Sequence, residues 1–290
     1  MMVLADQDPI IFGIDLSANH WAVCQIDYTS GECVDYRYMT TKKGEIIEIT
    51  ERFIPGLLLK EQMKKSGESK DNYAERRKAF SAHKLYNFII NKYFISQNEN
   101  IYICIEGYAH AASSRGMTQI AEVTGVLKTM LYDAGINLRI YAPTSVKLYA
   151  TGKGNCLKKD MVTRAGECGF VISDSLITKT IKNIRGVKLN CDDPSLPQLI
   201  IEKKAMMIKR KKGIDYYVAD KLEEYDGVGT DLADAFFLGR ILRTELMLRA
   251  GVEKLEDLSE SERGIFLRTT SAYPENILSR PFIKKELTNA

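Results

Sequence analysis

Two carboxylates, Asp231 and Asp234, stand three residues apart at the head of the apolar stretch "TDLADAFFLGRIL". Two more acids end apolar runs far upstream, Asp15 in "IIFGIDLS" and Glu106 in "NIYICIEGY". The plain reading of the first pair is helix capping, because an acid at a helix start accepts orphan N–H groups and suits the positive end of the dipole. The alternative is an oxygen-donor site. Positions i and i+3 share a helix face, with Cβ atoms roughly 5–6 Å apart, and strand ends on one side of an α/β sheet are where sites are built. Carboxylates brought together raise one another's pKa, and a divalent cation relieves the repulsion. With no His or Cys in the set, Mg²⁺ is the expected ion, Mn²⁺ the substitute. Two such ions, typically ~3.5–4 Å apart, clamp a phosphodiester, activate water and stabilise the leaving oxygen.

The elements that must position these acids can be read from the pattern. "IIFGIDLS" reads as a buried strand ending at a sheet edge, and "HWAVCQID" and "CVDYRYMT" follow at hairpin spacing around the turn "YTSGE". The chain is therefore expected to open with a three-stranded antiparallel meander. Apolar spacing predicts a helix over about residues 73–95, then the strand ending at Glu106, then a helix from about Thr118 to Ala134 stopped by Gly135. "NLRIYAP" is the next strand, and Pro143 suits the first position of the helix "PTSVKLYAT". At the closing helix Thr230 is the expected cap, which leaves both Asp side chains free on the first turn. The order βββ-α-β-α-β-α predicts an α/β fold, a mixed sheet covered by helices.

Three stretches fall outside that core: about 44–72, 175–228 and 249–290. Residues 57–80, which overlap the first, are polar and charged and read as a mobile or partly helical excursion; the last stretch reads as a helical or loosely ordered C-terminal extension. Residues 1–248 are expected to form one domain that carries the first two as insertions. Net charge is only +3, but Lys179 to Lys212 holds ten Lys/Arg against three Asp/Glu, and Lys60 to Lys78 seven against four. Such runs are either solvated surface or a contact for nucleic acid.

Composition sets further bounds. A hydrophobic share of 45% and a charged share of 27% are those of an ordinary globular protein. No apolar run approaches the roughly 20 residues that span a bilayer, and "MMVLADQDPI" has no signal-peptide pattern. The six cysteines (Cys24, Cys33, Cys104, Cys156, Cys168, Cys191) form no CxxC pair, and the three histidines (His20, His83, His110) form no ligand spacing. A reducing, cytoplasmic setting is expected, and zinc is disfavoured.

The chain resembles RuvC-like Holliday-junction resolvases, which have the RNase H-like fold, in four regions: "FGIDLS", "ICIEGY", "YAPTSVKLYATGKGNCLKKDMV" and "DLADAFFLGR". "GID" at a strand end is shared with sugar kinases and actin-like ATPases, whereas the run P-x-x-V-K-x₄-G-x-G-x₃-K is a specific match. The resemblance covers Ile10–Cys33, Asn100–Gly169 and Asp231–Arg243, somewhat over a third of the chain. It implies that Asp15, Glu106, Asp231 and Asp234 are the catalytic, metal-binding carboxylates, and that Lys147 and Lys158 contact nucleic acid near the scissile phosphate. Lys158 there would offset charge in the transition state. Lys153 and Lys159, in the same basic run, are expected on the DNA. Tyr108 stands one step earlier than the aromatic that family members wedge into the junction, and Arg115, in "AHAASSRG", is either a phosphate contact or an exposed surface residue.

The implied activity is a metal-dependent, structure-selective endodeoxyribonuclease that cuts four-way or other branched DNA. Two symmetric cuts imply a twofold homodimer. The insertions point to viral or organellar relatives rather than to the compact bacterial enzyme. The alternative within the superfamily is a nuclease for RNA/DNA hybrids, or a DNA-packaging or RNA-guided type. An actin-like nucleotide-binding protein would need a second Gly-rich phosphate loop after a later Asp; none is visible, so no nucleotide cofactor is expected.

Overall fold

A computed structural model describes residues 8–17, 20–40, 47–50, 66–69, positions scattered through 72–89, 100–107, 114–172, 178–181, 188–190, 205–211, 214–219, 223–226, 228–269 and 274–285. Its centre is a six-stranded mixed sheet in the order β4-β3-β2-β1-β5-β6. Strands β1 (Ile10–Leu16), β2 (His20–Ile26) and β3 (Cys33–Thr40) make the expected antiparallel meander. The turn between β2 and β3 closes through Gly31, whose φ of 75° lies in the left-handed region. β5 (Ile101–Glu106) lies parallel to β1, and β6 (Asn137–Tyr141) parallel to β5.

The meander has one strand more than the sequence reading predicts. β4 (Ile47–Thr50) pairs antiparallel with β3 inside the stretch read as an insertion. Its four residues, "IEIT", have strong β-formers at Ile47, Ile49 and Thr50, but four residues are too few for alternation to stand out.

Helices cover both faces. On one face lie α1, helical at its described positions between 72 and 89, and α2 (Ser114–Asp133). Val123, Leu127 and Leu131, one helical turn apart, pack with Leu85 and Ile89 against Phe12, Ile14, Ile103 and Ile105. Helix α2 begins four residues before the expected Thr118 and ends at Asp133, one residue short of the expected Ala134, with Gly135 (φ 69°) in the turn that follows. The part of the expected first helix beyond residue 89 lies outside the described residues.

The other face carries α3 (Pro143–Thr151), α4 (Lys158–Glu167), the closing helix α5 (Val228–Ala250) and α6 (Glu260–Leu267). Helix α5 is buried on nearly every side, with Leu232, Phe236, Phe237, Ile241 and Leu242 all under 3% exposed. It crosses β1 at a glycine pair. A Cβ on Gly13 would stand 2.0 Å from the Ala235 carbonyl oxygen and 2.2 Å from the Gly239 nitrogen, so the helix backbone rests directly on the strand.

The stretch 175–228 supplies two small antiparallel sheets: β7 (Thr178–Ile181) with β11 (Glu223–Asp226), and β8 (Lys188–Asn190) and β9 (Ala205–Lys211) on either side of β10 (Ile214–Ala219). Lys209, Arg210 and Lys211 of the basic run lie on β9.

The C-terminal extension is tied down. Helix α6 opens with a capping box, Ser259 accepting from the Glu262 N–H while the Glu262 carboxylate accepts from Ser259. The chain then returns to the sheet edge, where Leu138 and Ile283 exchange two backbone hydrogen bonds of 3.0 Å. Beneath them Arg139 donates to the buried Glu245 carboxylate and to the carbonyls of Arg280 and Pro281, and Arg249 donates to Glu245, Ile277 and Arg280. The Phe282 ring lies against both guanidinium groups. Among the described residues no helix is long and apolar enough to cross a membrane.

Candidate active site

Alternation along the strands decides which acids face the closing helix. Ile11, Gly13 and Asp15 share one face of β1, and Tyr102, Cys104 and Glu106 share the same face of β5. The parallel register pairs Ile14 with Ile105, so Asp15 and Glu106 lie one step further along neighbouring strands. The glycine contact then fixes the height of α5. Asp231 lies eight residues, roughly 12 Å, before Gly239 on the helix, which brings it and Asp234 back over the strand ends.

Helix α5 starts at Val228 rather than just after Thr230. Asp231 is therefore the fourth helical residue and Asp234 the seventh, past the positions where a side chain caps. Thr230 is fully buried and does not cap; its hydroxyl donates to Asp231 Oδ1 at 3.4 Å and receives Lys158 Nζ at 3.4 Å.

The four carboxylates influence one another strongly. Burial pushes Asp15 well above the usual carboxylate range, and Asp231, Glu106 and Asp234 push it further. Glu106 is raised to about 7, first by burial and then by Asp234, while Lys147 and Lys158 oppose the rise. Asp234 is raised to about 6 by burial and Asp231, again opposed by Lys158 and Lys147. Asp231 is 6% exposed and is held from two sides, by His20 Nε2 at 3.2 Å and Lys158 Nζ at 3.8 Å. Asp15, Glu106 and Asp234 keep some exposed surface, so the cluster is recessed yet open.

The basic motif is positioned by its own turns. Pro143 takes the first turn of α3, Val146 enters the core, and Lys147, one residue on, bears on the carboxylates. Gly152 (φ 73°) caps α3 in the left-handed conformation. Gly154 passes so close to α3 that a Cβ there would stand 3.2 Å from the Thr144 carbonyl oxygen. Helix α4 then starts at Lys158, its first turn closed by the Asp160 carboxylate accepting from the Leu157 N–H at 3.0 Å.

Six of the sequence-read residues thus come together: Asp15, Glu106, Asp231, Asp234, Lys147 and Lys158. Lys153 and Lys159 are exposed beside them on the α3–α4 turn and on α4. Tyr108 lies outside the described residues; Arg115 is on α2, but its side chain is not among those described. Sequence reasoning missed His20 and Thr230. His20 had a usable signal, because alternation with Ala22, Cys24 and Ile26 puts it on the face of Asp15.

As donors, four recessed carboxylates, three of them with raised affinities for protons, suit a hard divalent cation, which would take the place of those protons. Among the described residues no three His, Cys, Asp or Glu side chains already stand in ligating geometry. Asp231 is turned instead toward His20 and Lys158.

No protein-family model matches the sequence, and no curated protein does. Among solved structures, the chain is similar to the RuvC structure of Thermus thermophilus at 14% identity and a TM-score of 0.39, over 83% of this chain and 96% of that one. It is also similar to T. thermophilus RuvC in complex with Holliday junction substrate, at 12% identity and a TM-score of 0.37, over 85% and 98%. Function is therefore read from the side chains.

Proposed function

We propose that the chain is a metal-dependent endonuclease of the RuvC-like, RNase H-like type that cuts branched DNA. The observation that carries this reading is the meeting of four carboxylates from three distant segments with two lysines, at one end of the sheet. Asp15, Glu106, Asp231 and Asp234 would hold divalent ions, Mg²⁺ or Mn²⁺, which when bound supply an activated water and offset phosphate charge.

The chain's own residues do the remainder. Lys158, half-exposed on the first turn of α4, is placed to meet a phosphate oxygen and offset charge that grows in the transition state. Lys147 opposes the negative field on Glu106 and Asp234 and so holds more of each carboxylate ionised at neutral pH. His20 and Thr230 fix the direction of Asp231. Lys153 and Lys159 extend the basic surface along the DNA backbone, with Arg115 and Tyr108 the further contacts toward the junction. Paired cuts imply a homodimer. The described cysteines are free thiols, which suits a reducing compartment.

The test is to incubate the protein with magnesium and a synthetic four-way junction, a linear duplex or an RNA/DNA hybrid. Paired nicks in the junction, lost in Asp15→Asn and Asp234→Asn, are expected. Full activity in EDTA or in either variant would sink the assignment, and preference for the hybrid would transfer it to a ribonuclease.

A further inference from the structure

His20 opens β2 and is tied back to Ser17, which follows β1. The Ser17 N–H donates to the His20 carbonyl at 2.9 Å, and the His20 N–H donates to Ser17 Oγ at 3.2 Å. Strand alternation puts His20 on the same face as Ala22 and Cys24, the face that packs against α5. Two contacts tie this face to one turn of the helix. Cys24 Sγ donates to the Leu232 carbonyl at 3.6 Å, and His20 Nε2 meets Oδ2 of the neighbouring Asp231 at 3.2 Å.

The ring is held from behind. Tyr38 pairs with Ala22 across β2 and β3, which makes it the diagonal neighbour of His20. Its ring stacks on the imidazole at a centroid distance of 6.0 Å and an angle of 25°. Backbone, ring and strand register therefore fix Nε2. The carboxylate it meets has a side chain only 8% exposed, so the contact is not one of the solvent-screened pairs that contribute little. It needs a proton on Nε2, which the imidazolium and one neutral tautomer both carry.

The two oxygens of Asp231 are held unequally. Oδ2 has the 3.2 Å contact with His20, whereas Oδ1 has longer ones, 3.4 Å to the Thr230 hydroxyl and 3.8 Å to Lys158 Nζ. A carboxylate that binds a cation through one oxygen is commonly hydrogen-bonded on the other, which stops it from turning and sets its affinity. We propose that His20 is a positioning residue for divalent-ion binding: it holds Asp231 Oδ2, so that Oδ1 is the oxygen offered to a hard cation. The assignment rests on the reading of Asp231 as a metal ligand.

The test is Mn²⁺ binding without DNA, followed by isothermal calorimetry, in His20→Gln and His20→Leu. Both fill the space of the ring against Tyr38, but only the Gln side chain can donate to Asp231. With both variants folded by circular dichroism, His20→Leu is expected to weaken Mn²⁺ binding about 10–100-fold and His20→Gln to stay near wild type. Equal affinity in all three proteins would overturn the proposal. So would equal weakening in both variants, which would mark the ring as a ligand or as packing alone. Imidazole ¹⁵N NMR of the wild type covers the case of an unfolded variant. The chain has three histidines, and the His20 Nε2 proton should survive saturation with Mg²⁺; its loss would overturn the positioning role. Tight Mn²⁺ binding that depends on the His20 donor, in a wild type that cuts no DNA, would overturn the nuclease reading and leave His20 in its role. Junction cleavage by a His20→Leu protein of unchanged Mn²⁺ affinity would do the reverse, and a wild type that binds no Mn²⁺ would overturn both.

Discussion

Replacing Asp234 by Asn should make the protein more stable, provided the carboxylates crowd one another as described. Asp234 is raised from the ordinary 3.8 to about 6, with burial the leading cause. The folded protein therefore binds this proton more tightly than the unfolded chain does. Below about pH 4 both states are protonated and no penalty exists; between about 4 and 6 the folded state holds protons that the unfolded state has lost, so stability falls as pH rises. Above about pH 6 the penalty is complete, and at about 1.4 kcal/mol per pH unit of displacement it approaches about 3 kcal/mol. Asp234 is also the leading charge acting on Glu106, raised from 4.5 to about 7, so its neutralisation relieves a second group. Lost attraction to Lys158 and Lys147 offsets part of the gain. The expected net is roughly 2 kcal/mol at about pH 8, a rise in melting temperature on the order of 5 °C for a chain of this size. Calorimetry or thermal circular dichroism at about pH 8 and about pH 4 checks it, since the difference should vanish at the lower value. Millimolar magnesium should raise the melting temperature of the wild type and raise that of the variant less. An Asn variant less stable than wild type at about pH 8, or equally stabilised at both values, would refute the crowding.

Other consequences follow from single contacts. Gly13→Ala places its Cβ 2.0 Å from the Ala235 carbonyl oxygen, fixed backbone that cannot turn aside; a loss of at least about 3 kcal/mol is expected, read by urea unfolding or by failure to yield folded protein. Lys158→Ala removes a half-exposed side chain from the carboxylates and should reduce the rate of DNA cleavage about 10²–10³-fold with a near-normal melting temperature, checked by single-turnover kinetics. Glu245→Ala leaves Arg139 buried without its carboxylate and should cost about 3–5 kcal/mol. In that variant limited proteolysis should cut first near residues 274–285, whose carbonyls hold the two arginines.

What could be read from the residues alone divides by the distance over which the information acts. Asp15 and Glu106 were legible because each ends a run of β-formers, and the acid at such an end marks the edge where side chains meet. The i, i+3 spacing of Asp231 and Asp234 was legible for the same local reason. The start of α5 was misplaced by three residues because Thr230 is a good cap in isolation; burial against Lys158 and Asp231 gives its hydroxyl other partners. The contact of Gly13 with Gly239 carries no local signature, since each glycine alone reads as a weak point in its element. Arg139 and Glu245 are 106 positions apart, and each by itself reads as an exposed charge. β4 failed on length alone.

The closing helix therefore carries two kinds of charge at its two ends. Near its start, Asp231 and Asp234 repel each other and the strand-end acids, an arrangement that weakens the fold unless cations or protons intervene. Four turns later, Glu245 is fully buried but answered by Arg139, Arg249 and the Tyr141 hydroxyl, an arrangement in which every charge has its partner. The glycine contact with β1 sits between them, so the helix cannot slide along the sheet to relax the first end without breaking the second. The satisfied network thus holds the repelling cluster in place, and the same network ties down the C-terminal segment. Cluster and C-terminal segment share one rigid support, so a change that loosens the Glu245 network reaches both ends of the helix.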